Sequence, residues 1–332
     1  MKKVVWGVLS TARIGTQKVI PGMQKSPWCE IRAIASRDGA TARKAADALG
    51  IPKAYDSYEA LLADPDIEAI YNPLPNHLHV PLTLAAARAG KHVLCEKPIA
   101  LNAEEAQQLA SAGERVLIME AFMVRFHPQW LRVREMVREG RIGTPRVVQM
   151  LFSYFNQDPA NIRNIADIGG GALYDIGCYP IVIGRFVFGA EPQRVVALID
   201  RDPQFQTDRL ASALVDFGAG RHLSFTVSTQ LAPYQRVQIC GPQARIEVQI
   251  PVNAPQGART IVTLDDGSQP GAAAAAAQTL PESDQYMLQG EAFSRAVRGE
   301  IELPYGVADA VLNMRVIDAL FRSEKSGRWE EV

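Results

Sequence analysis

From Val4 to Met119 short apolar strands alternate with helical patterns, and that alternation restricts this half of the chain to parallel βαβ units. Val4–Leu9 reads as a strand and Ile14–Gln24 as its helix. Ile31–Ser36 is the next strand, followed by the Ala-rich helix Thr41–Leu49. Ala69–Asn72 with Val80–Ala89, His92–Cys95 with Ala103–Ala112, and the last strand Val116–Met119 repeat the unit. The pattern predicts a doubly wound parallel sheet, an α/β domain over residues 1–121.

After Glu120 the pattern changes. Val133–Glu139 reads as a helix and Arg146–Phe155 as a long alternating strand. A loop rich in Asn, Asp and Gly (156–171) leads into an apolar helix, Leu173–Phe188. Period-two strands follow at Arg194–Ile199, Ser212–Phe217, His222–Ser228, Arg236–Cys240, Arg245–Ile250 and Thr260–Leu264. Tight connections such as Asp265-Asp266-Gly267 suit antiparallel hairpins. Residues 122–332 are therefore expected to form an α+β domain with a large open, mainly antiparallel sheet. The Ala-rich tract Gly271–Gln278 reads as a loop, and Ser283–Val297 and Val307–Ser323 as closing helices.

A formal net charge of -1 with no basic run gives no general attraction to nucleic acid or anionic membrane. The N-terminal apolar run breaks at Ser10-Thr11-Ala12-Arg13, too early for an export signal, and no later stretch reads as long enough to span a bilayer. A cytoplasmic protein is expected. Cys29, Cys95, Cys178 and Cys240 are scattered without a Cys-x-x-Cys pair, so buried free thiols are expected rather than a metal site.

Between the first strand and its helix lies Ser10-Thr11-Ala12-Arg13-Ile14-Gly15. In the usual Gly-x-Gly-x-x-Gly/Ala fingerprint, small residues admit a pyrophosphate to the helix N-terminus. Ser10 and Ala12 replace the first two glycines here and Gly15 keeps the third place, so the turn is either a dinucleotide site or an ordinary strand–helix connection. The second strand ends in Ser36-Arg37, where a protein preferring NAD usually carries an acidic residue for the ribose hydroxyls. A hydroxyl and a guanidinium suit a 2′-phosphate, which arginine grips with two parallel hydrogen bonds. NADP(H) is the preferred cofactor on this reading. NAD(H) stays possible, because Asp38 follows and could turn inward.

Cys95-Glu96-Lys97-Pro98 follows the strand His92–Cys95. A lysine just past a strand's carboxyl end sits where open α/β sheets bind ligands, and can serve as a fixed cation or in proton transfer. A solvated surface lysine is the alternative. Pro73 and Pro75 force an extended loop at the end of another strand, with Asn76 and His79 following as cofactor contacts or as capping residues. In the second half, Gly169-Gly170-Gly171 runs into a helix bearing Asp175 and Tyr179, four apart and so on one face. These two are either a surface carboxylate with a packed tyrosine or, together with Lys97, a proton-handling set. A nearby ammonium would favour the tyrosine's anion, and the carboxylate would orient substrate hydroxyls. Asn161 and Arg163 on the preceding loop are candidates for substrate hydroxyls, with loop solvation the equal alternative.

The Ser10–Gly15 turn, Pro75-Asn76-x-x-His79, Glu96-Lys97-Pro98 and Gly169–Tyr179, in this order, resemble the Gfo/Idh/MocA oxidoreductase family across nearly the whole chain. Tyr179 stands where many members carry histidine. With Trp6–Ile14 and Glu120–Pro128 this looks like the branch of glucose–fructose oxidoreductase, dimeric dihydrodiol dehydrogenase and NADP-dependent D-xylose dehydrogenase. The resemblance implies a Rossmann domain binding NAD(P) through Ser10, Thr11, Ala12, Arg13, Ile14, Ser36, Arg37, Pro73, Asn76, His79, Glu96 and Lys97. It implies that Lys97 contacts nicotinamide and substrate, that the peptide after it is often cis, and that Tyr179 is the acid/base. Arg125, in the matching Glu120–Pro128 stretch, joins Asn161 and Arg163 as a substrate contact. Self-association through the C-terminal sheet, as dimer or tetramer, is implied too. The expected activity is an NADP(H)-dependent oxidoreductase on a sugar or polyol-like alcohol/carbonyl pair. Keto-sugar (nucleotide) reductase, dihydrodiol dehydrogenase and, from another class, a non-catalytic NADP(H)-binding regulator are the alternatives.

Overall fold

The computed structural model describes residues 2–273 and 275–332. The chain divides into two compact units: residues up to Met123 with Asp284–Met314, and Val124–Ser283 with Arg315–Val332. The chain expected to stay in the second half after residue 122 thus comes back to the first.

The first unit holds six strands, β1 (Val4–Leu9), β2 (Cys29–Ala35), β3 (Lys53–Tyr55), β4 (Ala69–Asn72), β5 (His92–Cys95) and β6 (Ile118–Glu120), in the order β3-β2-β1-β4-β5-β6. Every pairing is parallel. The strand order reverses between β1 and β4, the position at which open α/β sheets bind ligands beyond the carboxyl ends. All six residues of β1 are buried, as expected of a parallel strand covered on both faces. β3 is invisible in the sequence pattern because it is a three-residue edge, half-buried throughout, whose lysine and tyrosine bond Asp64 at 2.8 and 2.7 Å. Short, charged edges of this kind resist pairing with other chains.

The returning segment is tied to the sheet by polar bonds as well as packing. Asp284 caps the helix Gln285–Val297, and the buried Trp6 donates its indole N–H to Ser294 at 3.2 Å. Arg298 grips both oxygens of Glu68 at 2.9 and 2.6 Å and reaches the carbonyls of Lys2 and Lys3. The guanidinium beside it, more than any other cause, pulls the Glu68 carboxyl down to about 2.

The second unit is built on one nine-stranded sheet of β7 (Val147–Phe155), β8 (Arg194–Arg201), β9 (Asp208–Asp216), β10 (His222–Ser228), β11 (Gln230–Cys240), β12 (Arg245–Val248), β13 (Ala258–Asp265), β14 (Ala276–Ser283) and β15 (Glu330–Glu331). Its order is β14-β13-β12-β11-β7-β10-β9-β8-β15. β7 and β10 pair in parallel and the remaining neighbours antiparallel, so the sheet is mixed. Burial alternates along β7: Val148, Met150 and Phe152 face the core while Val147, Gln149 and Leu151 face outward. Helices Pro128–Arg138 and Cys178–Phe188 pack within this unit, the first against β13 and β14, the second against β10.

Two expectations change here. The Ala-rich tract read as a loop is partly strand, since Ala276, Ala277 and Gln278 pair with Leu264, Thr263 and Val262 of β13. An edge ladder needs backbone groups, not side chains, so alanine's low strand preference does not forbid it; Ala274 lies outside the described residues. Ala166–Phe188 does have the length and mean hydropathy of a membrane-crossing helix, but 83% of its most apolar window is buried inside the protein. Its apolarity serves a core.

Candidate active site

The turn after β1 starts with Ser10 at φ 81°, the left-handed conformation that glycine adopts without steric cost. Its hydroxyl accepts the Ala12 N–H at 3.2 Å and its own N–H bonds the Ala35 carbonyl of β2 at 2.8 Å. A serine thus takes the backbone shape of the missing glycine and adds a bond that glycine could not. Thr11, Ala12 and Ile14 are half-buried and Arg13 exposed, at the N-terminus of a helix that runs through a π turn (Gly15–Val19) and Ile20–Met23. Free N–H groups at such a terminus suit a pyrophosphate.

At the end of β2, Asp38 is the N-cap of the helix Gly39–Leu49. Its carboxylate accepts the Thr41 N–H at 3.0 Å and is bonded by the Thr41 hydroxyl, which together hold its pKa below the usual carboxylate range. Ser36 is half-buried and Arg37 exposed beside it. The inward turn that would suit an NAD ribose is thereby given up to helix capping.

The Lys97 loop lies past β5 and is held from several sides within the first unit. Glu96 N–H bonds the Asn72 carbonyl at 3.0 Å, and the buried Tyr71 hydroxyl donates to Glu96 at 2.6 Å. Ile99 N–H donates to the buried Glu120 carboxylate at 2.8 Å. The Lys97–Pro98 peptide is cis, and Lys97 is half-buried. Pro73 is buried and Asn76 opens a short 3-10 turn, Asn76–Leu78. His79 needs correction as a cofactor contact. It is 1% exposed, and its two ring nitrogens lie 2.7 Å from the Pro98 and Leu74 carbonyls. Burial pushes it down to about 4, so the neutral ring donates to one carbonyl at a time. Neither nitrogen is left for a cofactor; His79 ties the Pro73–Asn76 loop to the Lys97 loop. The other residues of this set stand beyond the carboxyl ends of β1, β2, β4 and β5, one edge of a parallel sheet.

In the second unit, Gly170 N–H bonds the Ile165 carbonyl at 3.0 Å and Gly171 N–H the Arg163 carbonyl at 2.9 Å, folding the glycine loop onto the segment before it. The helix then opens as a π turn, Leu173–Gly177, before continuing as Cys178–Phe188. Such turns recur at functional sites, and with bonds running i to i+5 the four steps from Asp175 to Tyr179 make slightly less than one turn. Asp175 receives the Arg163 guanidinium at 2.8 Å and the Tyr154 hydroxyl at 2.6 Å, both on Oδ2. Asp175 raises the Arg163 pKa, while burial first and Asp175 second raise that of Tyr154. Asn161 accepts the Arg163 N–H at 3.1 Å, capping the short turn Ile162–Asn164. Tyr179 is 5% exposed with its ring 6.2 Å from that of Phe152, and Arg125 is 5% exposed.

Sequence reasoning missed Tyr154, which reads as one more inward residue of the series Val148, Met150 and Phe152 in an alternating strand. It also missed Asp208, the first residue of β9, which accepts the Leu173 N–H at 2.6 Å while only 1% exposed.

Both halves of the chain match known families. Residues 4–117 match an oxidoreductase family with an NAD-binding Rossmann fold (GFO/IDH/MocA), and residues 130–247 match the GFO/IDH/MocA C-terminal domain. The chain is 47% identical to an uncharacterized oxidoreductase of Rhizobium meliloti over 100% of both chains. It is 38% identical to D-xylose 1-dehydrogenase (NADP(+)) 2 of Haloferax volcanii over 98% of each. A 3-ketoreductase from Actinomadura kijaniata, solved in complex with NADP and TDP-benzene, is similar with a TM-score of 0.90 and 30% identity, covering 97% of this chain and 98% of that one.

Proposed function

The chain belongs to the Gfo/Idh/MocA oxidoreductase family, and within it we propose that the protein is an NADP(H)-dependent dehydrogenase or reductase of a sugar or polyol-like alcohol/carbonyl pair. The observation that carries this reading is the Asp175 cluster: a carboxylate neutralised by Arg163 and bonded by Tyr154, slightly less than one helical turn from Tyr179. Similarity to a D-xylose dehydrogenase supports the substrate class. A cytoplasmic setting, in keeping with four free cysteines, is part of the same reading.

When bound, the nicotinamide supplies the hydride acceptor or donor. Tyr179 takes the hydroxyl proton in oxidation and returns it in reduction. The Lys97 ammonium polarises the reacting oxygen and shares the handling of its proton. Asp175, positioned by Arg163 and Tyr154, accepts a substrate hydroxyl and orients it. Ser10–Ile14 take the pyrophosphate, and Pro73, Asn76 and Glu96 border the nicotinamide side. Arg125 and Asn161 are secondary contacts in this proposal, since Asn161 is engaged in capping.

Ser36 and Arg37 take the 2′-phosphate, and the commitment of Asp38 to its helix supports NADP(H) over NAD(H). Loss of one charge-assisted bidentate contact is worth about 1.5–3 kcal/mol. Arg37→Ala should therefore weaken NADP(H) binding about 10–100-fold and leave NAD(H) binding nearly unchanged. A fluorescence titration in which both cofactors respond alike would remove Arg37 from the phosphate site.

Self-association through the open sheet face completes the reading. That face carries Leu198 at 79% exposure, Leu214 at 50% and Tyr234 at 44%, around a shallow hollow of about 730 Å³. Contiguous apolar surface of this kind marks interaction sites. Leu198→Glu with Leu214→Glu should shift light scattering from an oligomer to a monomer; an unchanged mass would place the interface elsewhere. A second reading, reduction of a keto-sugar nucleotide with the same catalytic residues, is favoured by the similarity to the Actinomadura 3-ketoreductase.

A further inference from the structure

We propose that Asp208 is a positioning residue: its buried carboxylate caps the helix Leu173–Phe188 from another strand and so fixes where Asp175 and Tyr179 stand. This rests on the reading that those two residues act on substrate. The first N–H groups of a helix have no partner within it, and Ala172 at the N-cap offers no side-chain bond. Asp208 supplies the bond through Oδ2, 2.6 Å from the Leu173 nitrogen. Its Oδ1 presses so closely on Gly171 that a Cβ there would lie 1.8 Å away. The glycine admits the carboxylate. A helix N-terminus also favours a negative charge by its dipole.

The groups facing Asp208 do little to relieve its burial. Arg201 on β8 is paired with Glu324 on the closing helix at 2.6 Å, and Tyr154 on β7 carries no charge at neutral pH. Burial pushes the carboxyl up to about 7. A carboxyl raised in the folded state contributes stability that is full below its unfolded pKa, about 4, and is lost as pH rises through 7. An apolar residue would cost less, so the stability balance gives no reason for an acid here. Positioning does, because the ionised form is the stronger acceptor. Tyr154 links the two sites: it feels the charge of Asp208 and donates to Asp175.

The test compares the full-length protein with Asp208→Asn, which keeps the shape and removes the charge. Turnover with NADP⁺ and an accepted sugar is followed across the neutral range, together with amide exchange of the 169–179 segment. Misplacing a catalytic group by a fraction of its reach costs up to about 10² in rate. Asp208→Asn should accordingly lower kcat about 10–10²-fold, keep NADP(H) affinity, and abolish the fall of kcat below pH 7. Exchange protection of Leu173–Tyr179 should drop in the variant although its stability at alkaline pH does not. A folded variant with wild-type kcat and an unchanged acid limb overturns the proposal. If no sugar turns over in either protein, exchange alone decides: unchanged protection overturns the cap, whereas lost protection upholds it and the catalytic reading has failed instead. If Asp208→Asn does not fold, exchange of the wild-type Leu173 amide decides instead: a protected amide upholds the cap, and one that exchanges as freely as an unbonded amide overturns the proposal.

Discussion

Tyr179→Phe is expected to lower kcat about 10²–10⁴-fold, the usual worth of a positioned general acid or base, while NADP(H) affinity stays nearly constant. The change removes one hydroxyl and keeps the ring. Tyr179 is buried and its ring lies against that of Phe152, and phenylalanine keeps this ring packing, so the variant should still fold. Cofactor contacts are assigned to the first unit, which is why affinity for NADP(H) should not follow turnover. Steady-state kinetics beside a cofactor titration separate the two quantities. Wild-type turnover in the variant would take tyrosine out of the proton step and leave Lys97 as the remaining candidate.

Gly171→Ala should be among the most destabilising single substitutions in the second unit. Gly171 has φ 120°, far from the conformations open to alanine, and the new methyl would meet a buried carboxylate oxygen at 1.8 Å. Backbone strain of about 1–3 kcal/mol and overpacking of about 1–3 kcal/mol both apply, against a total stability of roughly 5–15 kcal/mol. A loss of about 3–5 kcal/mol is the expected result by urea unfolding. Gly189→Ala is the control. That glycine also has positive φ, 59°, but nothing lies within 4 Å of its added Cβ, so only the left-handed cost of about 1–2 kcal/mol remains. Equal effects at the two positions would mean that Asp208 is not wedged against the glycine loop.

Legibility in the sequence followed physical causes that can be named. β1, β4 and β5 lie where apolar runs predict them, because a strand buried on both faces must be apolar throughout and ends where polarity returns. β3 escaped notice because three half-buried edge residues carry no such signature. Period-two alternation marks the strands of the second sheet but says nothing of partners, so the parallel pairing of β7 with β10 had to come from the structure. The return of Asp284–Met314 to the first unit depends on single contacts such as Trp6 to Ser294 and Arg298 to Glu68, each spanning more than two hundred residues of chain.

For the candidate site, spacing alone placed Asp175 and Tyr179 on one helix and Lys97 past a strand end. What spacing could not reveal is how acceptors are shared. Asp38 leaves NAD(H) open as a partner until the Thr41 bonds commit its carboxylate to its helix. His79 looks like a ligand until both of its nitrogens are seen against carbonyls. Asp208 lies in none of the motifs legible in the sequence, and its partner, Leu173, lies 35 residues away in sequence.

The central claim is oxidoreduction of a sugar-like substrate with NADP(H), and nicotinamide absorbance measures it directly. Purified protein is mixed with NADP⁺ and a panel of aldoses headed by D-xylose and D-glucose, and in the reverse direction with NADPH and keto-sugars. Turnover on at least one of them, lost in Tyr179→Phe, is the predicted result. NADPH binding without turnover on any aldose, keto-sugar or keto-sugar nucleotide would contradict the claim and leave a cofactor-binding protein without this chemistry.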